Sequence, residues 1–189
     1  MNTSKNNVAL VTGASDGIGA EFVEILAGRG YDLILVARRE EKLNELAVRL
    51  SDEFGVECTV MAADLSEPKA AQNLFQRIED RGLQVNFLIN NAGLLHNGFF
   101  ANLSLEAQEK MIQVNVIALT ALTHLYAAKM SSNGGGHILN VASLAGWMAI
   151  PNQNVYAASK AYVVSFSQAL SNEMIAANSG VQVTALCPG

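Results

Sequence analysis

Three groups of residues in this chain of 189 residues are able to do chemistry. A glycine-rich turn spans residues 12–19, Ser143 follows much later, and Tyr156 and Lys160 form a Tyr-x-x-x-Lys pair. Glycines in such a turn let the backbone approach a phosphate, and a lysine one helical turn after a tyrosine stabilises its phenolate. In this order, the three groups predict an enzyme that transfers a hydride between a nicotinamide and a carbonyl or secondary alcohol.

The glycine turn reads Thr-Gly-Ala-Ser-Asp-Gly-Ile-Gly, after a predicted strand and at the start of a predicted helix. Gly13 permits a tight turn, Gly17 lets the backbone approach a pyrophosphate, and Gly19 lets the helix pack closely on the sheet. Free N–H groups and the helix dipole then favour phosphate. The alternative is a turn that binds nothing, and Asp16 is expected to be a helix N-cap because its charge opposes a phosphate. The cofactor contacts predicted in this turn are Gly13, Ser15, Asp16, Gly17, Ile18 and Gly19.

The residues after the second predicted strand indicate which nicotinamide cofactor is bound. An NAD enzyme carries an acid about 20 residues past the glycines, where it holds the ribose 2′-hydroxyl. This chain has Ala37, Arg38 and Arg39 there, and the planar fork of an arginine suits a 2′-phosphate. The sequence therefore favours NADP (NADPH), with NAD possible, and it favours Arg38 over Arg39 as the phosphate ligand. The alternative is that both arginines are solvated charges paired with Glu40 or Glu41.

The catalytic argument depends on Tyr156 and Lys160, which lie on one face of a predicted helix, one turn apart. Ser143 ends a predicted strand at the carboxyl edge of the sheet, where ligands bind in folds of this class. Tyr156 then acts as the general acid in reduction and as the general base in oxidation. The alternative is an exposed tyrosine beside a solvated lysine.

Predicted strands and helices alternate along the whole chain. Apolar runs predict strands at residues 8–11, 33–37, 58–62, 87–89, 137–141 and 181–186. Helices are predicted at residues 18–29, 40–54, roughly 105–130 with one break near its start, and 154–176, together with a helix capped by Ser66 that has Pro68 in its first turn. Helical crossovers imply parallel strands covered on both faces. We therefore predict an α/β fold, a Rossmann-like doubly wound parallel sheet, as a single domain over residues 1–189.

Composition argues against several other classes of function. The net charge of −5 and the lack of a basic run disfavour nucleic-acid binding, and no stretch approaches the about 20 apolar residues of a membrane span. The polar N-terminus lacks the apolar core of a signal peptide, and Cys58 and Cys187 are expected to be reduced core thiols, so a cytoplasmic protein is predicted. The three histidines are scattered, so no metal site is expected.

These motifs together resemble the short-chain dehydrogenase/reductase family, of the NADP-preferring type, over residues 7–189. The glycine turn, Ser143, Tyr156 and Lys160 match the cofactor turn and catalytic residues of that family. Further matches in order and spacing are Asp64, the segment Asn91-Ala92-Gly93, Asn115 and the segment Pro188-Gly189. Beyond the turn, the resemblance implies cofactor contacts at Arg38, Arg39, Asp64, Leu65, Asn91, Ala92, Gly93, Tyr156, Lys160, Pro188 and Gly189. It implies a catalytic set of Asn115, Ser143, Tyr156 and Lys160.

The resemblance also implies a role for each catalytic residue. Ser143 would hydrogen-bond the substrate carbonyl, and Tyr156 would donate the proton. Lys160 would hold the nicotinamide ribose and tune Tyr156, while Asn115 would hold a helix kink and connect Lys160 through water to solvent. Taken separately, Asn91 and Asn115 have the alternative of buried polar residues satisfied by the backbone.

Members of this family usually continue past the Pro-Gly segment with a last strand, a substrate-covering loop and an oligomer contact. The resemblance therefore implies a chain truncated at its C-terminus, and the alternative function is a cofactor-binding module or fragment with little turnover. The substrate is expected to be a small carbonyl or alcohol. Helices at 114–126 and 157–170 are apolar nearly all round, so a homodimer or homotetramer is expected. Apolar residues expected to line a pocket, or else to pack half-buried, are Leu94, Leu95, Phe99, Phe100, Trp147 and Met148.

Overall fold

The computed structural model describes residues 7–189 and contains one parallel six-stranded sheet. The strands are β1 (Val8–Thr12), β2 (Asp32–Ala37), β3 (Cys58–Ala62), β4 (Val85–Asn90), β5 (Gly136–Val141) and β6 (Val181–Leu186). They follow the order β3-β2-β1-β4-β5-β6, and every neighbouring pair is parallel. The strand order reverses between β1 and β4, so the loops after these strands diverge and leave a crevice at the carboxyl edge. The predicted doubly wound sheet is confirmed.

Helices connect the strands and cover both faces of the sheet. They are α1 (Gly17–Ala27), α2 (Glu40–Phe54), α3 (Ala70–Glu79), α4 (Leu105–Ile112), α5 (Leu119–Ser132) and α6 (Asn154–Ala176), and a π-helical segment, Gln113–Ala118, joins α4 to α5. One core packs α1 and α2 against strand residues such as Val11 and Ile89. The opposite core packs α3, α5 and α6 against residues such as Leu10 and Leu88. This alternation follows from the two-residue repeat of a strand.

Helix and strand ends agree with the sequence prediction to within two residues, but the expected cover on both faces is wrong for β6. Val181 and Val183 of β6 are buried in the core with α6, whereas Gln182 and Thr184 are exposed. Because side chains alternate along a strand, the exposed pair lies on the opposite face of the sheet. That face of β6 is therefore open to solvent.

The start of α3 also differs from the sequence prediction, because Ser66 does not cap this helix. The helix begins at Ala70, directly after Lys69, whose φ is 62°. Ser66 donates its N–H and its hydroxyl to Oδ1 of Asp64, at 2.9 and 2.8 Å. The hydroxyl is occupied in this local turn, and Pro68 consequently precedes the helix instead of lying in its first turn.

The long helix predicted over residues 105–130 is present as α4, the π-helical segment and α5, which together span 28 residues. By length and hydropathy this stretch is apolar enough to cross a membrane, so the expectation that no stretch approaches such a span is wrong. Half of its most apolar 18-residue window is buried inside the fold. Leu122, Tyr126 and Met130 pack into the core on the sheet, as the side chains of a central helix do.

Candidate active site

Side-chain hydrogen bonds join the glycine turn after β1 to the loop after β4. The Thr12 hydroxyl accepts hydrogen bonds from the backbone N–H groups of Asn91 and Ala92, both at 3.0 Å. In return, Nδ2 of Asn91 donates to the carbonyl oxygens of Thr12 and Gly13, at 3.0 and 3.3 Å. Thr12 is only 1% exposed. These bonds fix the two strand ends that flank the crevice.

Two glycines of the turn make this close approach possible. Gly13 has a φ of 68°, in the left-handed region that favours glycine. A Cβ on Gly13 would lie 2.8 Å from Nδ2 of Asn91. A Cβ on Gly19 would overlap the Gly13 carbonyl oxygen and lie 2.5 Å from the same Nδ2 atom. The roles predicted for Gly13 in a tight turn and for Gly19 in close packing agree with this geometry.

A cleft of about 350 Å³ lies at the carboxyl ends of β1 to β4. Eleven of the predicted cofactor residues line it, namely Gly13, Ser15, Asp16, Ile18, Arg38, Arg39, Asp64, Leu65, Asn91, Ala92 and Gly93. Gly17 has a φ of 52° and is exposed at the start of α1. The N-terminal end of a helix beside two arginines fits the phosphate groups of a dinucleotide.

Asp16 lies at the N-cap position of α1, but its carboxylate makes no capping hydrogen bond. Nη2 of Arg39 donates instead to Oδ2 of Asp16 at 2.5 Å and to Oγ of Ser15 at 3.0 Å. Nζ of Lys42 lies 3.9 Å from the same carboxylate oxygen. The hydrogen bond from Arg39, followed by the charge of Lys42, lowers the pKa of Asp16. Asp16 therefore occupies the predicted N-cap position, but its carboxylate is held by Arg39 and does not bond the first N–H groups of the helix.

Arg38 follows β2 and acts electrostatically on Asp64, which follows β3. Burial alone would raise the pKa of Asp64, but hydrogen bonds from Ser66 and the charge of Arg38 outweigh this effect and lower it. Within residues 7–189, neither Arg38 nor Arg39 forms a salt bridge with Glu40 or Glu41. The alternative in which these glutamates pair with the arginines is not what the structure contains.

Asn115 lies in the π-helical segment, where the long helix is interrupted. Its Oδ1 accepts from the Leu94 N–H at 2.8 Å, and its Nδ2 donates to the Leu94 carbonyl at 2.9 Å and to Oγ of Ser159 at 3.1 Å. The side chain is 1% exposed. Asn115 therefore fixes the loop after β4 to α6, and both donor hydrogens of its amide are used.

Lys160 is buried beside Tyr156 at the edge of the cleft. Its Nζ lies 5.7 Å from the centre of the Tyr156 ring and donates to the Val141 carbonyl at 2.7 Å. A Cβ on Gly93, which lines the cleft, would be 3.6 Å from this Nζ. Burial lowers the pKa of Lys160 to about 8, against a small opposing effect of Cys187. The predicted alternative of a solvated lysine is wrong, since Lys160 is 4% exposed.

Ser143 lies two residues after β5, at the start of a 3₁₀ turn, Leu144–Trp147. Its Oγ accepts from the Ala145 N–H at 3.1 Å, so the hydroxyl hydrogen stays free to donate to another group. The Leu144 N–H donates to the Pro188 carbonyl at 2.9 Å, which places the Pro-Gly segment beside Ser143. The structure therefore brings the ends of β5 and β6 together at this point.

Ser159 and Gly146 support this site, and the sequence argument missed both. The Ser159 hydroxyl donates to the Tyr156 carbonyl at 2.7 Å and accepts from Asn115. A serine inside a helix commonly bonds a carbonyl one turn back, so its position between Tyr156 and Lys160 was a usable signal. A Cβ on Gly146 would lie 2.8 Å from the Lys160 carbonyl oxygen, and only the tertiary structure reveals this packing.

Most of the apolar residues expected to line a pocket are at the surface. Leu94 lines the cleft and is half-buried, and Trp147 and Met148 line a second, mainly apolar pocket of about 580 Å³ beside the start of α6. Five of the six are nevertheless between 51% and 66% exposed, namely Leu95, Phe99, Phe100, Trp147 and Met148. The Gly98 N–H donates to the Asn152 carbonyl at 2.9 Å, so the loops that carry these residues are bonded to each other. The expectation of half-buried packing is wrong for these five.

No group of three His, Cys, Asp or Glu side chains within residues 7–189 could hold a metal ion. Cys58 and Cys187 are both free thiols, and both are half-buried instead of lying in the core. Cys187 follows β6 directly, and its electrostatic effect raises the pKa of Lys160, against the larger effect of burial.

A family model described as short chain dehydrogenase matches residues 7–189. The chain belongs to the short-chain dehydrogenase family. The chain is 34% identical over 185 residues to an oxidoreductase of Staphylococcus saprophyticus, covering 98% of the chain and 78% of that relative. It is 34% identical over 177 residues to a 7beta-hydroxysteroid dehydrogenase of Collinsella aerofaciens, covering 94% of the chain and 66% of the relative.

A further relative of the chain is a very-long-chain 3-oxoacyl-CoA reductase of Phaeosphaeria nodorum, which is 39% identical over 171 residues. That match covers 88% of the chain and 50% of the relative, so the chain spans between half and about three quarters of these relatives. Among solved structures, a short-chain dehydrogenase from Sphingobium yanoikuyae in complex with NADPH has a TM-score of 0.90 and 38% identity. The match covers 96% of this chain and 70% of the other.

Proposed function

We propose that this chain is an NADP(H)-dependent oxidoreductase that transfers a hydride between the nicotinamide and a carbonyl or secondary alcohol. The observation that carries the proposal is the buried ammonium of Lys160, 5.7 Å from the Tyr156 ring and adjacent to a cleft suited to a dinucleotide. Burying a lysine is costly unless it has a function or a partner. Among residues 7–189 its one hydrogen-bond acceptor is the Val141 carbonyl, which leaves further N–H donors for a ligand.

The bound cofactor would supply the hydride, and the side chains would handle the proton. In reduction, Tyr156 donates its phenolic proton to the carbonyl oxygen, and in oxidation it removes the proton from the alcohol. The free hydroxyl hydrogen of Ser143 donates to the same substrate oxygen and orients it. Lys160 stabilises the phenolate and holds the nicotinamide ribose, with Asn115 positioning the loop and helix around them.

NADP is favoured over NAD because the end of β2 carries Arg38 and Arg39 and no acid. Both arginines line the cleft. Neighbouring structures in the family include complexes with NADPH and with NADP, which supports the same choice. NAD remains the weaker ligand in this proposal, since its 2′-hydroxyl has no carboxylate partner at the end of β2.

The substrate we propose is a carbonyl compound or alcohol with an apolar body. Exposed apolar side chains, including Phe99 and Trp147, lie on the two bonded loops near the reaction centre. Relatives named for hydroxysteroid and 3-oxoacyl-CoA chemistry support this substrate class.

We further propose that the chain forms a homodimer or homotetramer through the π-helical segment and α6. Ile117 is 50% exposed and Tyr162 is 38% exposed, on neighbouring helices joined by a 2.9 Å hydrogen bond between Thr120 and Tyr162. Tyr162 also stacks on Phe166, with ring centres 5.5 Å apart. An apolar surface of this kind is typical of subunit contacts.

The test of the proposed reaction is NADPH oxidation with a panel of apolar ketones, comparing the wild-type chain with Tyr156→Phe. We expect Tyr156→Phe to lower the rate by at least about 10²-fold while NADPH affinity stays within about twofold. The matched control is Tyr162→Phe, on the same helix but outside the site, and its rate should be retained. An unchanged rate in Tyr156→Phe would remove this residue from its role. NADPH binding without turnover in the wild type would favour a cofactor-binding module.

A further inference from the structure

The charged side chains of Arg39, Asp16 and Lys42 meet at the end of β2, where the adenosine ribose of a dinucleotide would bind. Arg39 reaches 24 residues back along the chain to Ser15, at 3.0 Å, and 23 residues back to Asp16, at 2.5 Å. The Nζ atom of Lys42 lies 3.9 Å from Oδ2 of the same carboxylate. Arg38, the other arginine of the cleft, forms no salt bridge within residues 7–189. The two arginines therefore differ in their availability to a ligand.

We propose that Asp16 is a specificity-determining residue that weakens the preference for NADP over NAD by holding Arg39 away from the adenosine 2′-phosphate. This inference rests on the proposed function, since it concerns the same cofactor site. Arg38 is then the arginine available to the 2′-phosphate, and Arg39 is a second one that Asp16 sequesters.

The charges give the direction of the effect. A 2′-phosphate near Arg39 must compete with the Asp16 carboxylate for the same guanidinium, and it is also repelled by that carboxylate. NAD carries a neutral hydroxyl at this position, so its affinity does not depend on the competition. Removing the carboxylate should therefore strengthen NADPH binding without strengthening NADH binding.

The size of the effect follows from exposure. The side chain of Arg39 is 50% exposed and that of Asp16 is 69% exposed, so the pair is screened by water. Breaking such a pair changes an affinity by up to about fivefold. Such a pair tunes cofactor choice without deciding it alone.

The helix itself does not need the Asp16 carboxylate, which makes a clean substitution available. The side chain occupies the N-cap position but makes no capping bond. Serine is also a favoured N-cap residue, so Asp16→Ser removes the charge and preserves the start of α1. Loss of the fold is therefore not expected.

The experiment is calorimetric titration of NADPH and NADH into four proteins: wild type, Asp16→Ser, Arg39→Gln and the double variant. We expect Asp16→Ser to tighten NADPH binding about two- to fivefold and to leave the affinity for NADH unchanged. Most of the gain should disappear when Arg39→Gln is also present, because only the relief of direct repulsion by the carboxylate then remains. Asp52→Asn, an exposed acid at the end of α2, is the control for a general change of net charge and should leave both affinities unchanged.

Three results would overturn the inference: no gain for NADPH in Asp16→Ser, an equal gain for both cofactors, or a gain for NADPH that is undiminished without Arg39. If the wild-type chain binds NADPH and any of these is found, only the role of Asp16 fails. If the folded wild-type chain binds neither cofactor, the proposed function fails, and the role of Asp16 fails with it.

Discussion

The ammonium of Lys160 donates a 2.7 Å hydrogen bond to the carbonyl oxygen of Val141, the last residue of β5. This bond fixes α6 to the strand end that lies two residues before Ser143. Tyr156, one turn earlier on the same helix, is held at the same edge of the sheet. The helix and the strand that carry the proposed catalytic residues are therefore connected by the buried ammonium group itself.

The buried lysine predicts a pH-dependent stability. Burial lowers the pKa of Lys160 to about 8, from the ordinary 10.5. Between these values the unfolded chain binds a proton that the folded chain does not, so the free energy of unfolding rises with pH across this window. The shift corresponds to a rise of about 3 kcal/mol in the free energy of unfolding between pH 8 and 10.5.

Urea unfolding from pH 7 to 10.5 checks this prediction, with Lys160→Met as the reference protein. Other groups titrate equally in both proteins, so the difference between the two curves isolates Lys160. The wild type should gain stability relative to Lys160→Met as the pH rises above 8. Parallel curves would show that the ammonium is not desolvated as the structure indicates.

Replacement of Thr12 tests the link between the glycine turn and the β4 loop. Thr12→Val keeps the shape of the side chain but removes the hydroxyl that accepts from the N–H groups of Asn91 and Ala92. The Ala92 N–H then loses this acceptor, and the Asn91 N–H keeps the Ile89 carbonyl, at 3.1 Å. We expect a loss of about 2 kcal/mol in the free energy of unfolding, together with weaker NADPH binding. Thr12→Ser keeps the hydroxyl and should lose less stability. A larger loss in Thr12→Ser than in Thr12→Val would assign the effect to the methyl group instead of the hydrogen bonds.

Gly19→Ala tests the close packing of α1 under the turn. The added Cβ overlaps the Gly13 carbonyl oxygen and forces the turn to move, at a cost of about 1–3 kcal/mol in unfolding free energy. Gly28→Ala, at the other end of α1, is the control. Gly28 has a helical φ of −62°, and the nearest atom to its added Cβ is 3.5 Å away. Thermal unfolding should separate the two, and a harmless Gly19→Ala would disprove the packing role.

The exposed apolar surface on the π-helical segment and α6 predicts a change of assembly state. Ile117→Glu places a charge in the proposed subunit contact and should convert an oligomer into a monomer in sedimentation at micromolar concentration. Val48→Glu is the matched control, because Val48 is 62% exposed on α2, away from that surface. A wild-type chain that is already monomeric at this concentration would contradict the proposed oligomer.

Much of the fold followed from local patterns in the sequence. Buried parallel strands are continuous apolar runs, so segments such as 58–62 were predicted with the right ends. The glycine turn and the Tyr156–Lys160 pair were visible because their spacing is fixed within one turn or one helix. The structure then places Lys160 against Gly93 of the β4 loop, a contact between residues far apart in the chain.

The features that the sequence did not reveal depend on contacts between distant segments or on competing local bonds. The pairing of Asp16 with Arg39 requires α1 and α2 to begin side by side, which no local pattern encodes. Ser66 is a residue type that commonly caps helices, yet its hydroxyl donates instead to the Asp64 carboxylate two residues earlier. The open face of β6 depends on which helices cover the sheet, and an apolar run alone does not show this.

The most direct test of the central claim is a parallel calorimetric titration of the wild-type chain with NADPH and NADH. We predict one NADPH site per chain, with an affinity at least about tenfold higher than that for NADH. The reason is that Arg38 meets the 2′-phosphate and no acid at the end of β2 holds the 2′-hydroxyl. Equal affinities would contradict the role of Arg38. Binding of neither cofactor by a chain with a folded circular-dichroism spectrum would contradict the dinucleotide site itself.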